Sequence, residues 1–424
     1  MPPSAPRLLI VEEALKDRRG HWYEYNRAII GEARGRGIAT TVLAHRDLEA
    51  GLRDELQALP YFPVTSWDLG YNHPSAARRY LGLLHHNLRV IRWLSRHFAT
   101  HAPYDVVLVP TVVLYHWLAW RWLAGRGHGR WFQKLVLTTR NNAGEYNPTT
   151  GGYQFNASAQ VLRRVVGSFG SMVRQGVVEL TSDSARLAAQ YQALCGVPFT
   201  TYPHPRPTAH LPPEPAARTP GSPLVFAALG PPRYEKGSDL ILEAIRLVRQ
   251  RRPELPVRFV LQWTGQVHAP VIGEVVPSAE LEADPQVEFI RRDLSSAEYQ
   301  QQLEAADALL VPYRRAQYHA RLSGVAIEAF QSGVPCICVA DTWVADSMAA
   351  IGSGLTLAEE TTAALADAII TLADRHAEFR DRARSRIPLA RRTHSPATFV
   401  DRLMERSPPM PPSCVLDPTA IFQR

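Results

Sequence analysis

Two short stretches hold residue types that could grip a charged ligand. The first reads FAALGPPRYEKGSDLILEAI, from Phe226 to Ile245. An apolar run gives way to a glycine-containing loop and then to a helical pattern, so Lys236 and Gly237 fall where a helix begins. The first turn of a helix carries unpaired backbone N–H groups and the positive end of the dipole. A diphosphate suits that end, and Arg233 and Lys236 would add side-chain charge to the same anion. A plain strand-to-helix turn with solvated basic residues explains the pattern as well. The chain has three lysines, Lys16, Lys134 and Lys236, and nearly all its positive charge is arginine. A lysine that persists against such a bias is more informative than usual.

The second stretch is VPYRRAQYHARLSGVAIEAFQSGVPCICVADTWVAD, from Val311 to Asp346. A strand ends at Pro312, a polar loop follows, and Ser323 and Gly324 open a helix that carries Glu328. That helix start is a second anion cradle. Glu328 lies about a turn further in, where a carboxylate can accept two hydrogen bonds from vicinal ribose hydroxyls. An exposed helical glutamate is the ordinary alternative.

Elements must hold these residues in place, and their pattern is regular. Strands are expected at 8–11, 40–44, 105–110, 135–139 and 177–181, with helices at 23–36, 75–100, 113–124 and 184–194. The helix over 75–100 is read with Tyr80, Leu84, Leu88, Ile91 and Leu94 on one side. A stretch with eight prolines, at 203–223, is too stiff to supply a central strand. Beyond it the rhythm repeats, with strands at 224–229, 258–263, 287–290, 308–312 and 335–339. Helices are expected there at 237–251, 296–305, 322–332 and 361–374. Apolar strands alternating with helices predict an α/β, doubly wound architecture. With 424 residues, two domains are natural. The expected division is 1–202, a linker at 203–223, 224–385, and a helix with a Pro-rich tail at 386–424 that crosses back to the first domain.

Composition narrows the function. Apolar residues make up 46% and charged residues 21%, ordinary for a globular protein. The longest uncharged apolar stretch, 106–120, is too short for a spanning helix. The N-terminus lacks a signal pattern, so cytoplasmic residence is the expectation. A net charge of +7 suits anionic ligands or an anionic membrane surface. No long basic run points to nucleic acid. The four cysteines, Cys195, Cys336, Cys338 and Cys414, form no CxxC pair and read as buried thiols rather than metal ligands.

Taken together, the two stretches resemble the C-terminal half of the large family 4 of GT-B glycosyltransferases. That family has a G-R-x-x-x-x-K-G-x-D stretch, to which Gly230, Lys236, Gly237 and Asp239 correspond. Pro231 stands where the arginine would be, and Arg233 is its candidate replacement. An aspartate ahead of a short strand is matched by Asp307. The family then has E-x7-E leading into E-A-x-x-x-G-x-P. Glu328, Ala329, Gly333 and Pro335 match the second part, while Ala320 occupies the position of the first glutamate. That carboxylate typically contacts the donor sugar, so the sugar identity is left open, with Arg321 or Ser323 as substitutes.

The resemblance implies a GT-B fold, two Rossmann-like domains facing each other across a cleft. It also implies a nucleoside-diphosphate sugar held by the C-terminal domain. Phosphates would meet Arg233, Lys236, Gly230 and the amides near Ser323, Gly324 and Val325. The ribose would meet Glu328, and the base would rest near Arg292 to Leu294. In the N-terminal domain, Gly20 would approach the phosphates and His21 and Trp22 would face the acceptor, although a loop histidine is more often merely solvated. Arg140, after the strand ending at Thr139, would stabilise the departing phosphate or bind an anionic acceptor; an exposed arginine is the competing reading. Asn141 and His116 are further acceptor candidates.

The expected activity is metal-independent, retaining transfer of a sugar to a hydroxyl of a glycan or lipid-linked acceptor, in bacterial cell-surface polysaccharide or glycoconjugate synthesis. Arg233, Lys236, Arg140 and His21 are the catalytic candidates, and no cofactor is expected. The aromatic, basic segment 115–131 would touch anionic headgroups at the inner membrane face, or else pack as an ordinary helix on a sheet. Two other readings are a nucleotide-sugar epimerase of the same fold and a non-catalytic nucleotide-binding scaffold.

Overall fold

The computed structural model describes residues 5–18, 21–65, 75–113, 116–208, 211, 221–270 and 273–405. The chain divides into two compact units. Unit 1 takes residues 1–145, 152–207 and 394–424, and unit 2 takes 146–151 and 208–393.

Unit 1 is built on seven parallel strands: β1 (Arg7–Val11), β2 (Ala39–His45), β3 (Ala58–Phe62), β4 (Tyr104–Val109), β5 (Phe132–Thr139), β6 (Val178–Ser182) and β7 (Thr200–Thr201). Their order is β3-β2-β1-β4-β5-β6-β7. The order reverses between β1 and β4, which pair directly, and crevices at such switch points are where doubly wound sheets hold ligands. Helices α1 (His21–Gly35), α2 (Ala50–Leu56), α3 (Ala76–His101), α4 (Trp117–Gly127), α5 (Ala157–Gly167) and α6 (Ala185–Cys195) cover the sheet.

Unit 2 repeats the scheme with six parallel strands: β8 (Leu224–Ala228), β9 (Val257–Gln262), β10 (Val287–Ile290), β11 (Ala308–Val311), β12 (Cys336–Val339) and β13 (Gly354–Leu357). Their order is β10-β9-β8-β11-β12-β13, so β8 and β11 flank the switch point. Its helices are α7 (Ser238–Arg251), α8 (Ser296–Ala305), α9 (Gly324–Ser332), α10 (Trp343–Ile351), α11 (Thr362–Asp374) and α12 (His376–Thr393). The central strands β8, β11 and β12 are apolar on both faces because both are covered. Phe226, Phe259, Leu310 and Ile337 point into one core. Ala227, Leu309, Val311, Cys336 and Cys338 point into the other, so the two cysteines share a face and are buried. Each fully buried large apolar side chain contributes roughly 1.5–3 kcal/mol.

A last helix, α13 (Pro396–Met404), packs in unit 1. Phe399, Val400 and Leu403 join its core, and Arg36 pairs with Asp401. The chain passes from unit 1 to unit 2 at 207/208 and returns at 393/394. Most of the Pro-rich stretch, 209–210 and 212–220, lies outside the described residues.

One helix departs from its expected orientation. On α3, Tyr80, Leu84 and Leu88 are exposed, and of the stripe read from sequence only Leu94 is fully buried. The inward face carries His86, Asn87, Val90, Leu94, His97 and Phe98. Two of its polar groups have clear partners: His97 Nε2 lies 2.8 Å from the Tyr104 hydroxyl, and Asn87 Oδ1 accepts from the amide of Ala119 at 2.8 Å. A hydropathy stripe misses such a face because it records the polarity of buried histidine and asparagine and not their internal partners.

Candidate functional site

In unit 2 the loop after β8 folds tightly over the C-terminal end of the sheet. Gly230 has φ +88°, a conformation natural to glycine, and its amide donates to Gln262 Oε1 at 2.7 Å. A Cβ at Gly230 would lie 3.3 Å from Lys236 Nζ and 3.9 Å from Val325, so three elements converge there. The helix expected from 237 is more finely divided. Tyr234–Lys236 form a 3-10 turn, Gly237 reverses the chain at φ +71°, and α7 starts at Ser238. Lys236 Nζ turns back to donate to the Pro231 carbonyl at 2.9 Å. The pKa of this lysine is lowered to about 8, chiefly by burial, with the charges of Arg233 and Arg321 adding to the shift and Glu235 opposing it. Arg233 is exposed, and Arg321 sits 4.7 Å over the Tyr318 ring. Three cations therefore share one neighbourhood.

The loop is held from behind by Arg314, which the sequence reading did not single out. Its guanidinium donates to Asp239 Oδ2 at 2.5 Å and to the Tyr234 carbonyl at 3.1 Å, and lies 3.9 Å over the Tyr234 ring. Asp239 thus clamps the loop after β11 to the start of α7. Asp307 plays a similar part at the other end of the sheet, where its Oδ2 accepts from the Val225 amide at 2.9 Å.

At the start of α9, Ser323 Oγ accepts from the Ala326 amide at 3.2 Å. The cap fixes the turn that carries Gly324 and Val325. Glu328 is half-buried, and its Oε2 accepts from the Tyr299 hydroxyl at 2.7 Å. Tyr299, Leu294 and Val325 all pack against the same apolar cluster, which brings the expected base-side residue Leu294 beside the helix that carries Glu328. Arg292 instead faces outward, paired with Glu298 at 2.7 Å. Ala320, at the position of the missing glutamate, is buried. Beside it, His319 stacks on Tyr146 with ring centroids 3.6 Å apart. His319 Nε2 lies 3.5 Å from Asp341 Oδ1, and the Tyr146 hydroxyl donates to Asp341 Oδ2 at 2.8 Å. No sequence signal marked this trio. Gln262 was legible in principle, as a polar residue closing the buried apolar run Phe259–Leu261.

In unit 1 the expected residues are scattered among different environments. Gly20 lies outside the described residues, as does the side chain of His21, whose backbone opens α1. Trp22 packs against the core of the unit. Arg140 is largely buried, its guanidinium 3.7 Å over the Tyr25 ring and its Nε 3.9 Å from Asp183. Nearby, burial pushes the Glu12 carboxyl up to about 7. Asn141 is exposed and lines a cavity of about 240 Å³ with Asn142, Asn156, Ser158 and Tyr191. His116 is buried against His86 and Glu13. Trp117 and Trp120 are interior rings, so the interfacial reading of segment 115–131 loses its two central indoles to ordinary helix-on-sheet packing. Among the described residues no helix is long and apolar enough to cross a membrane.

Residues 223–375 match the family model described as glycosyl transferases group 1. No curated protein matches the chain. Among solved structures, the N-terminal domain of Candida albicans trehalose-6-phosphate phosphatase is similar, at 12% identity and a TM-score of 0.65 over 95% of this chain and 97% of that one. Sucrose-phosphate synthase from Thermosynechococcus elongatus is similar at 13% identity, with a TM-score of 0.61 over 94% of this chain and 97% of that one. Anabaena HepE, solved in complex with UDP and glucose, is similar at 12% identity, with a TM-score of 0.59 over 93% and 97%. At such identities the likeness shows the fold. The chain has the GT-B fold of two Rossmann-like units, and the group 1 match over 223–375 supports a glycosyltransferase.

Proposed function

We propose that this protein transfers a sugar from a nucleoside-diphosphate sugar to a hydroxyl of a glycan or lipid-linked acceptor, with unit 2 holding the donor. One observation carries the reading: Lys236 Nζ and Val325 meet around Gly230, with the charges of Arg233 and Arg321 at hand. Cations gathered beside a helix start match the needs of a departing diphosphate. Lys236 and Arg233 would neutralise charge as the bond to the sugar breaks, with no metal ion on the diphosphate. Arg140 and His21 would act from unit 1. Retention of configuration is part of the proposal, with Arg321 or the His319–Asp341 pair near the sugar in place of the carboxylate absent at Ala320. The cavity beside Asn141 is the proposed place for acceptor groups. Bacterial surface polysaccharide or glycoconjugate synthesis is the setting in which such a donor and acceptor meet.

Nucleoside diphosphates and their sugars should raise the unfolding midpoint through linkage. No shift with any of them would sink the donor assignment. Glu328→Gln should raise the donor KM about 10-fold with little change in kcat, because ribose contacts act equally in ground and transition states. Tyr299→Phe, which removes the 2.7 Å hydrogen bond to Glu328, should follow in the same direction by a smaller factor. A fall in kcat without a KM change would place Glu328 elsewhere in the chemistry.

For a lipid-linked acceptor, peripheral membrane contact is proposed through α3. Tyr80, Leu81, Leu84 and Leu88 are exposed on one side of it, and between Ala76 and His101 it has five arginines and no acidic residue. An apolar stripe on a basic helix fits an anionic surface. The chain should sediment with vesicles containing phosphatidylglycerol and less with phosphatidylcholine alone. Leu84→Glu with Leu88→Glu should cut the bound fraction about 10-fold. Equal sedimentation of the variant would exclude this helix.

A further inference from the structure

We infer that unit 1 holds a divalent transition-metal ion, zinc being the best fit, between Glu13, His86 and His116. The three come from separate places in the sequence. Glu13 lies two residues past β1, His86 is on α3, and His116 immediately precedes α4. β1 and β4 are the neighbouring strands at which the sheet order reverses, so the cluster sits at the switch point of the unit. All three side chains are buried or nearly so.

The contacts among them are hard to satisfy with protons alone. His86 Nε2 and His116 Nε2 are 2.9 Å apart. His86 Nε2 lies 3.4 Å from Glu13 Oε2, and His116 Nε2 lies 3.1 Å from Glu13 Oε1. Each ring nitrogen carries at most one proton. If one imidazole donates to the other, the accepting nitrogen turns a lone pair toward the carboxylate or gives up its own contact with it. If both nitrogens are protonated to serve Glu13, two N–H groups confront each other at 2.9 Å. With Glu13 ionised, either assignment leaves one short contact repulsive in a buried site, where an unmatched polar contact is costly.

A cation at the centre removes the conflict, because all three atoms then offer lone pairs to it. With metal–ligand distances of about 2.0–2.1 Å, a tetrahedral site has ligand–ligand edges of roughly 3.3 Å. The three contacts, 2.9, 3.1 and 3.4 Å, bracket that value. Two imidazoles and a carboxylate with a fourth position left for water is a familiar zinc donor set. The scaffold supports it: Asn87, next to His86, accepts from the Ala119 amide at 2.8 Å and so pins the start of α4 to α3. The ion would tie the loops after β1 and β4 to that helix.

The test needs no sugar donor, so it stands apart from the transferase reading. The full chain is stripped with chelator and titrated with zinc alone, then with cobalt. Expected are about one zinc per chain, a higher unfolding midpoint with zinc, and the visible absorption of tetrahedral cobalt. His116→Gln and His86→Gln should each weaken zinc binding at least about 100-fold. Should either variant fail to fold, X-ray absorption at the zinc edge of the wild type should read two imidazole nitrogens and carboxylate oxygen. Absence of zinc and cobalt uptake by the wild type would overturn the inference. So would uptake indifferent to both substitutions, or an edge spectrum without imidazole.

Discussion

Lys236→Ala is expected to slow transfer from a nucleoside-diphosphate sugar by about two to three orders of magnitude, the usual loss when one preorganised charge-stabilising group is removed. The effect should fall mainly on kcat, because charge on the diphosphate grows as the bond to the sugar breaks. Lys236 is suited to this role because it is charged yet half-buried, with Nζ anchored to the Pro231 carbonyl rather than to a carboxylate. Its pKa near 8 gives a second readout. In the free protein the lysine starts to lose its proton around pH 8, and a bound diphosphate favours the charged form. Donor binding just above that pH should therefore take up protons, measurable calorimetrically in buffers of different ionisation enthalpy. The sign for stability follows from the same shift. The folded pKa is below the reference 10.5, so between about 8 and 10.5 the unfolded chain binds more protons and the free protein gains stability as pH rises. With a diphosphate bound, the folded pKa climbs and that gain shrinks. Unchanged turnover in Lys236→Ala, or binding without proton uptake, would remove Lys236 from the donor site.

Why this lysine was legible, and other residues were not, is a matter of locality. The β8 loop with Lys236 is one local stretch of sequence and the start of α9 is another, and their glycine, lysine and serine have backbone consequences that can be anticipated locally. The parallel strands were legible too, because a strand buried on both faces is apolar throughout. Arg314, Tyr299 and Gln262 act across 75, 29 and 32 residues of sequence, on Asp239, Glu328 and Gly230. Nothing local distinguishes an arginine that clamps a loop from one that is solvated. The Tyr146–His319–Asp341 trio is harder still, since Tyr146 comes from a six-residue excursion of unit 2 within the sequence of unit 1. The inward face of α3 hid for a different reason: its histidines and asparagine are buried, and hydropathy records only their polarity. The same blindness concealed Glu13, His86 and His116 as a group. Reading the tryptophans of segment 115–131 as interfacial rested on composition, and composition cannot say which side of a helix a ring occupies.

Gly237→Ala tests whether the donor loop depends on close approach rather than on charge. Gly237 has φ +71°, which costs an L-residue about 1 kcal/mol or more. A Cβ there would also stand 2.4 Å from the Pro312 carbonyl oxygen, which is backbone and cannot swing aside. The loops after β8 and β11 would have to separate, and Arg314 could not keep both Asp239 and the Tyr234 carbonyl. The combined strain should lower stability by roughly 2–4 kcal/mol. For a unit of this size that corresponds to a fall of about 5–15 °C in the unfolding midpoint. Donor affinity should drop with it, since Lys236 is the adjoining residue and its anchor at Pro231 belongs to the same loop. The control is Gly265→Ala, at a position where nothing stands within 4 Å of an added Cβ, which should leave both measurements nearly unchanged. If Gly237→Ala melts like the wild type and binds the donor equally well, the loop has room that the close approach to Pro312 denies. The site would then depend on its charges alone. If stability falls while donor affinity holds, the packing of α7 against β11 is structural, and Lys236 reaches the diphosphate independently of it.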